Sequence, residues 1–241
     1  MVEIPHVRRA GRPPKAAARL PARRPAMPRL PEIDLAPGVH LAWVDEDIVV
    51  LDVKADAYIL MVGAAALLHS VRQGGGVAAE PTILNDLAVA GLTSATREPT
   101  RRALPLATKA LRLAAPSSRV VQARAFFNAL SGTFAFKRRS LPALLQAARR
   151  QNKKPGRRDL AAVLREATAF EIIRPWAPFE GDCLQRSWML HRHLRQRGLD
   201  ADWVFGVRTW PFFAHCWVQV GDAVVGDSLD RVSGFTPIMA A

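Results

Sequence analysis

Gly181-Asp182-Cys183-Leu184-Gln185-Arg186-Ser187, then Pro211-Phe212-Phe213-Ala214-His215-Cys216-Trp217-Val218, then Gly221-Asp222-Ala223-Val224-Val225-Gly226-Asp227 is the stretch that decides the fold. Asp182 is a good N-cap residue, so a helix over 182–196 places Cys183 in its first turn and stops at Gly198. Residues 201–208 and 214–220 read as strands. Gly221-Asp222 is a two-residue hairpin signal, and 223–226 returns as the next strand. One helix followed by an antiparallel meander makes an α+β domain.

This arrangement carries a chemistry. The first turn of a helix has unpaired N–H groups and the positive end of the dipole, both of which favour a thiolate at Cys183. Cys183, Ser187, Leu190 and Leu194 share one helical face, which packs on the sheet; Arg186, Arg192, Arg195 and Arg197 lie mostly off it and face water. His215 follows on a strand, and Asp227 ends the next one. A thiol, a base that deprotonates it and a carboxylate that orients the base are what nucleophilic cysteine catalysis needs. Asp227 is expected to accept from Nδ1–H of His215. Asp222, at the hairpin tip, and Asp230 are competing carboxylates. On a strand His215 and Trp217 point to one face and Cys216 to the other, so Cys216 reads as a small core residue. A metal site is the rival chemistry, from Cys183, His191, His193, His215 and Cys216. No Cys-x₂-Cys or His-Glu-x-x-His spacing supports it, and no nucleotide-binding glycine motif is present.

Outward from this core the composition divides the chain of 241 residues. Residues 1–31 carry eight Lys/Arg against Glu3, with prolines at 13, 14, 21, 25, 28 and 31 among others, which reads as a disordered basic arm or a mis-assigned start. Residues 32–100 carry three basic against ten acidic residues. Residues 101–165 carry sixteen basic residues against Asp159, and 166–241 seven against nine. The net charge of +13 thus lies in a tail and a middle segment rather than on a recognition element, which argues against nucleic acid as partner. Two cysteines make no disulfide framework, the basic N-terminus lacks the apolar core of a secretory signal, and the longest uncharged apolar run, 59–68, is about half a membrane span. A cytoplasmic protein without a membrane span is expected.

Residues 39–44, 48–53 and 57–60 read as three strands. A helix is expected over 63–72, broken by Gly74-Gly75-Gly76, and a second over 81–90, ended by Gly91. Residues 99–175 are helical by composition, with breaks at Pro105, Pro116, Gly132, Pro142 and Lys153-Lys154-Pro155-Gly156.

Cys183-Leu184-x-Arg186-Ser187-x-x-Leu190, Gly206-Val207-Arg208 and Pro211-Phe212-x-Ala214-His215-x-Trp217-Val218 together resemble the B protein of lasso peptide biosynthesis, whose core is similar to transglutaminases and papain-like proteases. The motif block covers roughly residues 160–241. It departs from the usual pattern at Cys216, where Ala is usual, and at Gln219, where Glu is usual. The resemblance implies a cysteine peptidase that removes the leader from a ribosomally made precursor, with Cys183, His215 and Asp227 as catalytic residues. It further implies a leader-recognition domain of winged-helix-like type, in which the leader adds as a strand to a sheet edge. Here Ala57, Tyr58, Ile59 and Leu60 would form that edge, and Leu84 and Leu87 the flanking helix. The domains would run 1–31 (arm), 32–98 (recognition) and 99–241 (protease: basic helical part 99–165, catalytic core 166–241). The partners implied are the precursor peptide and an asparagine-synthetase-like cyclase. No cofactor is expected in this chain, any ATP dependence coming from the cyclase. An acyltransferase on the same core and a non-catalytic leader-binding scaffold are the alternatives.

Overall fold

Short strands dominate the first third of the computed structural model, which describes residues 30–71, 74–95, 106–152, 156–176 and 182–241. All but the last two residues of the expected arm over 1–31 lie outside them. β1 (Glu32–Leu35), β2 (Val39–Val44), β3 (Asp47–Asp52), β4 (Ala57–Met61), β5 (Leu68–Val71) and β6 (Gly76–Ala79) precede helix α1 (Pro81–Val89) and the two-residue β7 (Thr93–Ser94). β2, β3 and β4 form an antiparallel sheet with β4 at its edge; β5, β6, β1 and β7 form a second sheet in that order. Pro81 opens α1, where its missing N–H costs nothing, and Gly91 follows it with φ +72.

The three strands expected over 39–60 are present, as is the helix beginning at Pro81. The helix expected over 63–72 is not. That segment is a turn followed by β5, paired with β6 from Leu68↔Ala79 to Val71↔Gly76. Its alanine-rich run favours a helix locally, but Leu68 reaches full burial by joining a sheet. Between residues 30 and 95 the described chain therefore has one helix and two sheets. The α+β class stands, whereas the winged-helix-like plan of three strands and two helices does not.

The middle segment gives β8 (Lys109–Ala110), α2 (Arg119–Lys137), α3 (Leu141–Asn152) and α4 (Leu160–Ile173). Ser118 and Asp159 cap α2 and α4, their side chains accepting from the N–H groups of Val121 (3.4 Å) and Ala162 (3.0 Å). Gly132, expected as a break, lies inside α2. A Cβ there would come within 3.3 Å of Met189, so the glycine lets α2 approach the neighbouring helix rather than ending its own. Pro142 sits in the first turn of α3, where proline is tolerated. The breaks at Pro105 and 153–155 lie outside the described residues.

The last third matches expectation closely: α5 (Cys183–Gln196), β9 (Asp202–Arg208), β10 (Phe213–Val220) and β11 (Ala223–Val225), with α6 (Leu229–Val232) and β12 (Thr236–Ala240) added. The sheet runs β12-β9-β10-β11-β8. Its edges were not legible, because β12 and β8 are defined by pairing with distant strands rather than by their own pattern. Strand alternation splits the sheet: Trp203, Phe205, Cys216 and Val218 enter the main core, and Val204, Trp217 and Val224 a smaller one with Val232.

β3 joins the two halves of the molecule. Val49 and Leu51 enter the main core, which also holds Trp188 and Leu190 of α5, whereas Ile48 and Val50 enter a second core with Leu84 and Leu87 of α1. A strand covered on both faces reads as a continuous apolar run, which is what Ile48-Val49-Val50-Leu51 is. Each such side chain contributes about 1.5–3 kcal/mol by burial. No described helix is long and apolar enough to cross a membrane.

Candidate active site

α5 begins at Cys183. The Asp182 carboxylate accepts from the Leu184 N–H at 2.9 Å, closing the first turn and placing Cys183 at the dipole's positive end. The Cys183 sulfur is half-buried, in hydrogen-bonding reach of the Cys216 thiol, the His215 ring and the backbone N–H of Cys216. Those contacts outweigh burial and bring its pKa down to about 5, the Cys216 thiol contributing most and His215 next.

His215 sits on β10, its ring against Phe235 (5.3 Å between centroids) and stacked towards Trp217 (6.1 Å). Its Nε2 lies 2.6 Å from Asp227 Oδ2. This corrects the expected Nδ1 contact: the carboxylate takes Nε2 and leaves Nδ1 for the sulfur. The Asp227 bond, then the Cys183 thiol, raise the His215 pKa to about 9. Asp227 is held below the usual carboxylate range despite its burial, by the His215 contact and the Ser228 N–H, which donates to Oδ1 at 2.8 Å. Between about pH 5 and 9 the site therefore holds a thiolate beside an imidazolium.

Asp227 reaches the ring because of Gly226. Val218↔Val225 is the last pair of the β10–β11 ladder on that side. Continued alternation would turn Asp227 to the face of Cys216, away from His215. Gly226 has φ +74, and a Cβ on it would meet Leu190 at 2.8 Å. Arg186 fastens the same turn, donating to the Gly226 carbonyl and pairing with Glu171 at 3.4 Å. Arg186 was expected to face water; it lines the cleft instead. Arg195 is also turned inward, buried against Leu199 and Asp200.

Cys216 was expected opposite His215 as a small core residue. It is buried and does lie on the other face, but that face carries α5, so its thiol stands behind the Cys183 sulfur. The hydrogen bond to the Cys183 sulfur, then burial, push the Cys216 thiol well above its ordinary value, keeping it protonated and a donor. Ser187 lies 3.3 Å from the Cys216 sulfur and accepts from the Trp203 indole at 2.8 Å. Asp222, the competing carboxylate, is held at the hairpin tip by Thr108 (2.6 Å) and Lys109 (3.0 Å). Of the residues weighed as metal ligands, Cys183, His215 and Cys216 meet in the cleft, whereas His191 and His193 stand apart from them. His191 is fully buried and driven down to about 3, and His193 is bound between Asn128 (3.1 Å) and Glu166 (3.0 Å).

The peptide-binding candidates separate. Ala57, Tyr58, Ile59 and Leu60 lie on the edge strand β4, partly or fully exposed. Leu84 and Leu87 are buried within the second core. Tyr58 goes further than its sequence suggested. Its ring lies 5.6 Å from Phe212, and burial, then the fields of Cys216, Asp56 and Cys183, push its hydroxyl up to about 12. The N-terminal sheet thus reaches the neighbourhood of Cys183.

A helix-borne cysteine faces a strand-borne histidine and a carboxylate in the turn after β11, and residues 123–240 match the transglutaminase-like superfamily. At closer range the chain is 42% identical over 66 residues to the microcin J25-processing protein McjB of Escherichia coli. That match covers 27% of this chain and 32% of the relative, about a third of its length. Both matches support the resemblance to lasso peptide biosynthesis B proteins carried by the Cys183 and His215 motifs. No solved structure matches the chain.

Proposed function

We propose that this protein is a cysteine peptidase that removes the leader from a lasso peptide precursor. The observation that carries the proposal is the Cys183 sulfur in hydrogen-bonding reach of a His215 ring whose far nitrogen lies 2.6 Å from Asp227. Cys183 attacks the scissile carbonyl. The C–N bond breaks as the His215 imidazolium gives its Nδ1 proton to the leaving amine, leaving an acyl-thioester. His215, now neutral, takes a proton from water, whose oxygen displaces the sulfur and restores the thiolate and imidazolium. Asp227 fixes the ring and its tautomer throughout. The Cys183 amide, at the helix start, is the proposed oxyanion donor.

In this proposal the leader pairs with the edge strand β4 along Ala57–Met61, supported from behind by the core of Leu84 and Leu87. The position of Tyr58 beside Phe212 supports a peptide path from that edge into the cleft. The freed core amine passes to an asparagine-synthetase-like cyclase, which supplies any ATP dependence; this chain needs no cofactor and works in the cytoplasm. The basic helices within 101–165 are the proposed docking surface for that partner.

Incubation with the precursor and mass spectrometry test the proposal. Cys183→Ala is expected to abolish cleavage while retaining precursor binding; cleavage by that variant would end the mechanism. A product bearing an added amine in place of the free carboxylate would mark the protein as an acyltransferase.

A further inference from the structure

The Gly206-Val207-Arg208 motif takes no part in the steps above. Gly206 lies opposite His215 in the β9–β10 ladder, where a Cβ would strike Trp217 at 2.7 Å, so the glycine makes room for the packing beneath the histidine. Arg208 is two residue pairs further, opposite Phe213, and so on the same sheet face as the His215 ring. Its guanidinium lies 4.7 Å from the Phe213 ring centre and 5.4 Å from that of Phe235, the ring that also supports His215.

Arg208 is exposed, and among the described residues no carboxylate or carbonyl accepts from its guanidinium. The other basic residues near the cleft are engaged: Arg186 with Glu171 and Gly226, Arg231 with Asp227 at 3.6 Å. Arg208 is instead held by two aromatic faces, which restrict a long side chain while leaving its donor fork unfilled. Phe213, beneath the guanidinium, is itself 50% exposed.

We propose that Arg208 is a specificity-determining residue that binds a carboxylate on the substrate segment downstream of the cut. The assignment rests on the peptidase reading of Cys183 and His215. His215 protonates the leaving amine, so the leaving segment must pass over the imidazole and on to the face where Arg208 stands. Imidazole and guanidinium flank one phenyl ring, so the acidic side chain falls within about the first four residues after the scissile bond, at ~3.3–3.6 Å of chain each. Planar guanidinium to carboxylate is the matching chemistry, with both nitrogens of the fork able to donate.

The test is a binding measurement that needs no turnover. Full-length protein carrying Cys183→Ala is titrated with short fluorescent peptides in which Asp replaces Asn at one position at a time. At one or more downstream positions Asp is expected to bind about tenfold tighter than Asn. Arg208→Gln is expected to erase that difference, Arg208→Lys to keep part of it, and Arg208→Glu to transfer the preference to Lys-bearing peptides. Equal binding of Asp and Asn peptides, or a preference that survives Arg208→Gln, overturns the proposal. Should Arg208→Gln lose its near-UV circular dichroism, the charge-retaining Arg208→Lys decides. An acid preference in binding without cleavage by the Cys183 protein would sink the peptidase reading and leave the anion site standing.

Discussion

Trp210 donates its indole N–H to Asp47 Oδ2 at 2.7 Å, across 163 positions of sequence. Asp47 begins β3 in the N-terminal sheet, while Trp210 stands in the loop that leads into His215. The same aspartate accepts from the Gly63 N–H at 2.8 Å through its other oxygen. One buried carboxylate therefore ties the strand-to-strand loop beside the cleft to the sheet whose edge is proposed to hold the substrate. Asp47→Ala removes both bonds and is expected to cost about 3 kcal/mol, read as a lowered midpoint in urea unfolding. Trp210→Phe removes one of them and should cost less than half as much.

Thiol reactivity should follow the pH limits of the ion pair. Cys183 is depressed to about 5 and His215 raised to about 9. Iodoacetamide labelling of Cys183 should rise as pH passes through about 5, where the thiolate forms. Peptide cleavage should rise on the same limb and fall again near pH 9, where the imidazolium loses the proton the leaving amine needs. Labelling that begins only near the ordinary thiol range would show that the pair does not form.

Cys216→Ala removes the donor that most lowers the Cys183 pKa. His215 remains, so the thiolate should still form, but on a limb shifted to higher pH. Labelling in mildly acidic buffer should drop several-fold while the rate well above neutrality stays near that of the parent. The lost sulfur should cost about 1 kcal/mol in stability. An unchanged pH profile would mean that the thiol behind Cys183 does not tune it.

Gly226→Ala joins two penalties, a left-handed φ of +74 and a Cβ within 2.8 Å of Leu190. About 2 kcal/mol of stability should be lost. Because the same turn aims Asp227, kcat should fall tenfold or more, and the alkaline limb should move to lower pH as His215 loses the partner that raises it. A variant with reduced stability but an unaltered limb would place the aim of Asp227 elsewhere.

Tyr58→Ala probes the junction between the edge strand and the cleft. Removing the ring that packs on Phe212 should raise KM for the precursor several-fold with a smaller effect on kcat. The reverse split would move Tyr58 from binding to chemistry.

The local part of the site was legible in the residues themselves. The Asp182 cap, the position of Cys183 in the first turn, the Gly221-Asp222 hairpin and the placement of Asp227 just past it all arise from residues within a few positions of one another. Short-range rules of capping, alternation and turn chemistry suffice for such features. Tertiary structure alone decided which faces met. Alternation put Cys216 opposite His215, but only the docking of α5 on that face brought its thiol to Cys183. Arg186 turned inward because the Gly226 carbonyl and Glu171 were there to receive it. Residues 68–71 became a strand because β6 offered a partner, and β3 lies between two cores that no single segment announces. Hydrophobic period encodes which residues of an element seek burial. What covers them is set by contacts between segments far apart in the chain, where local preference has no information.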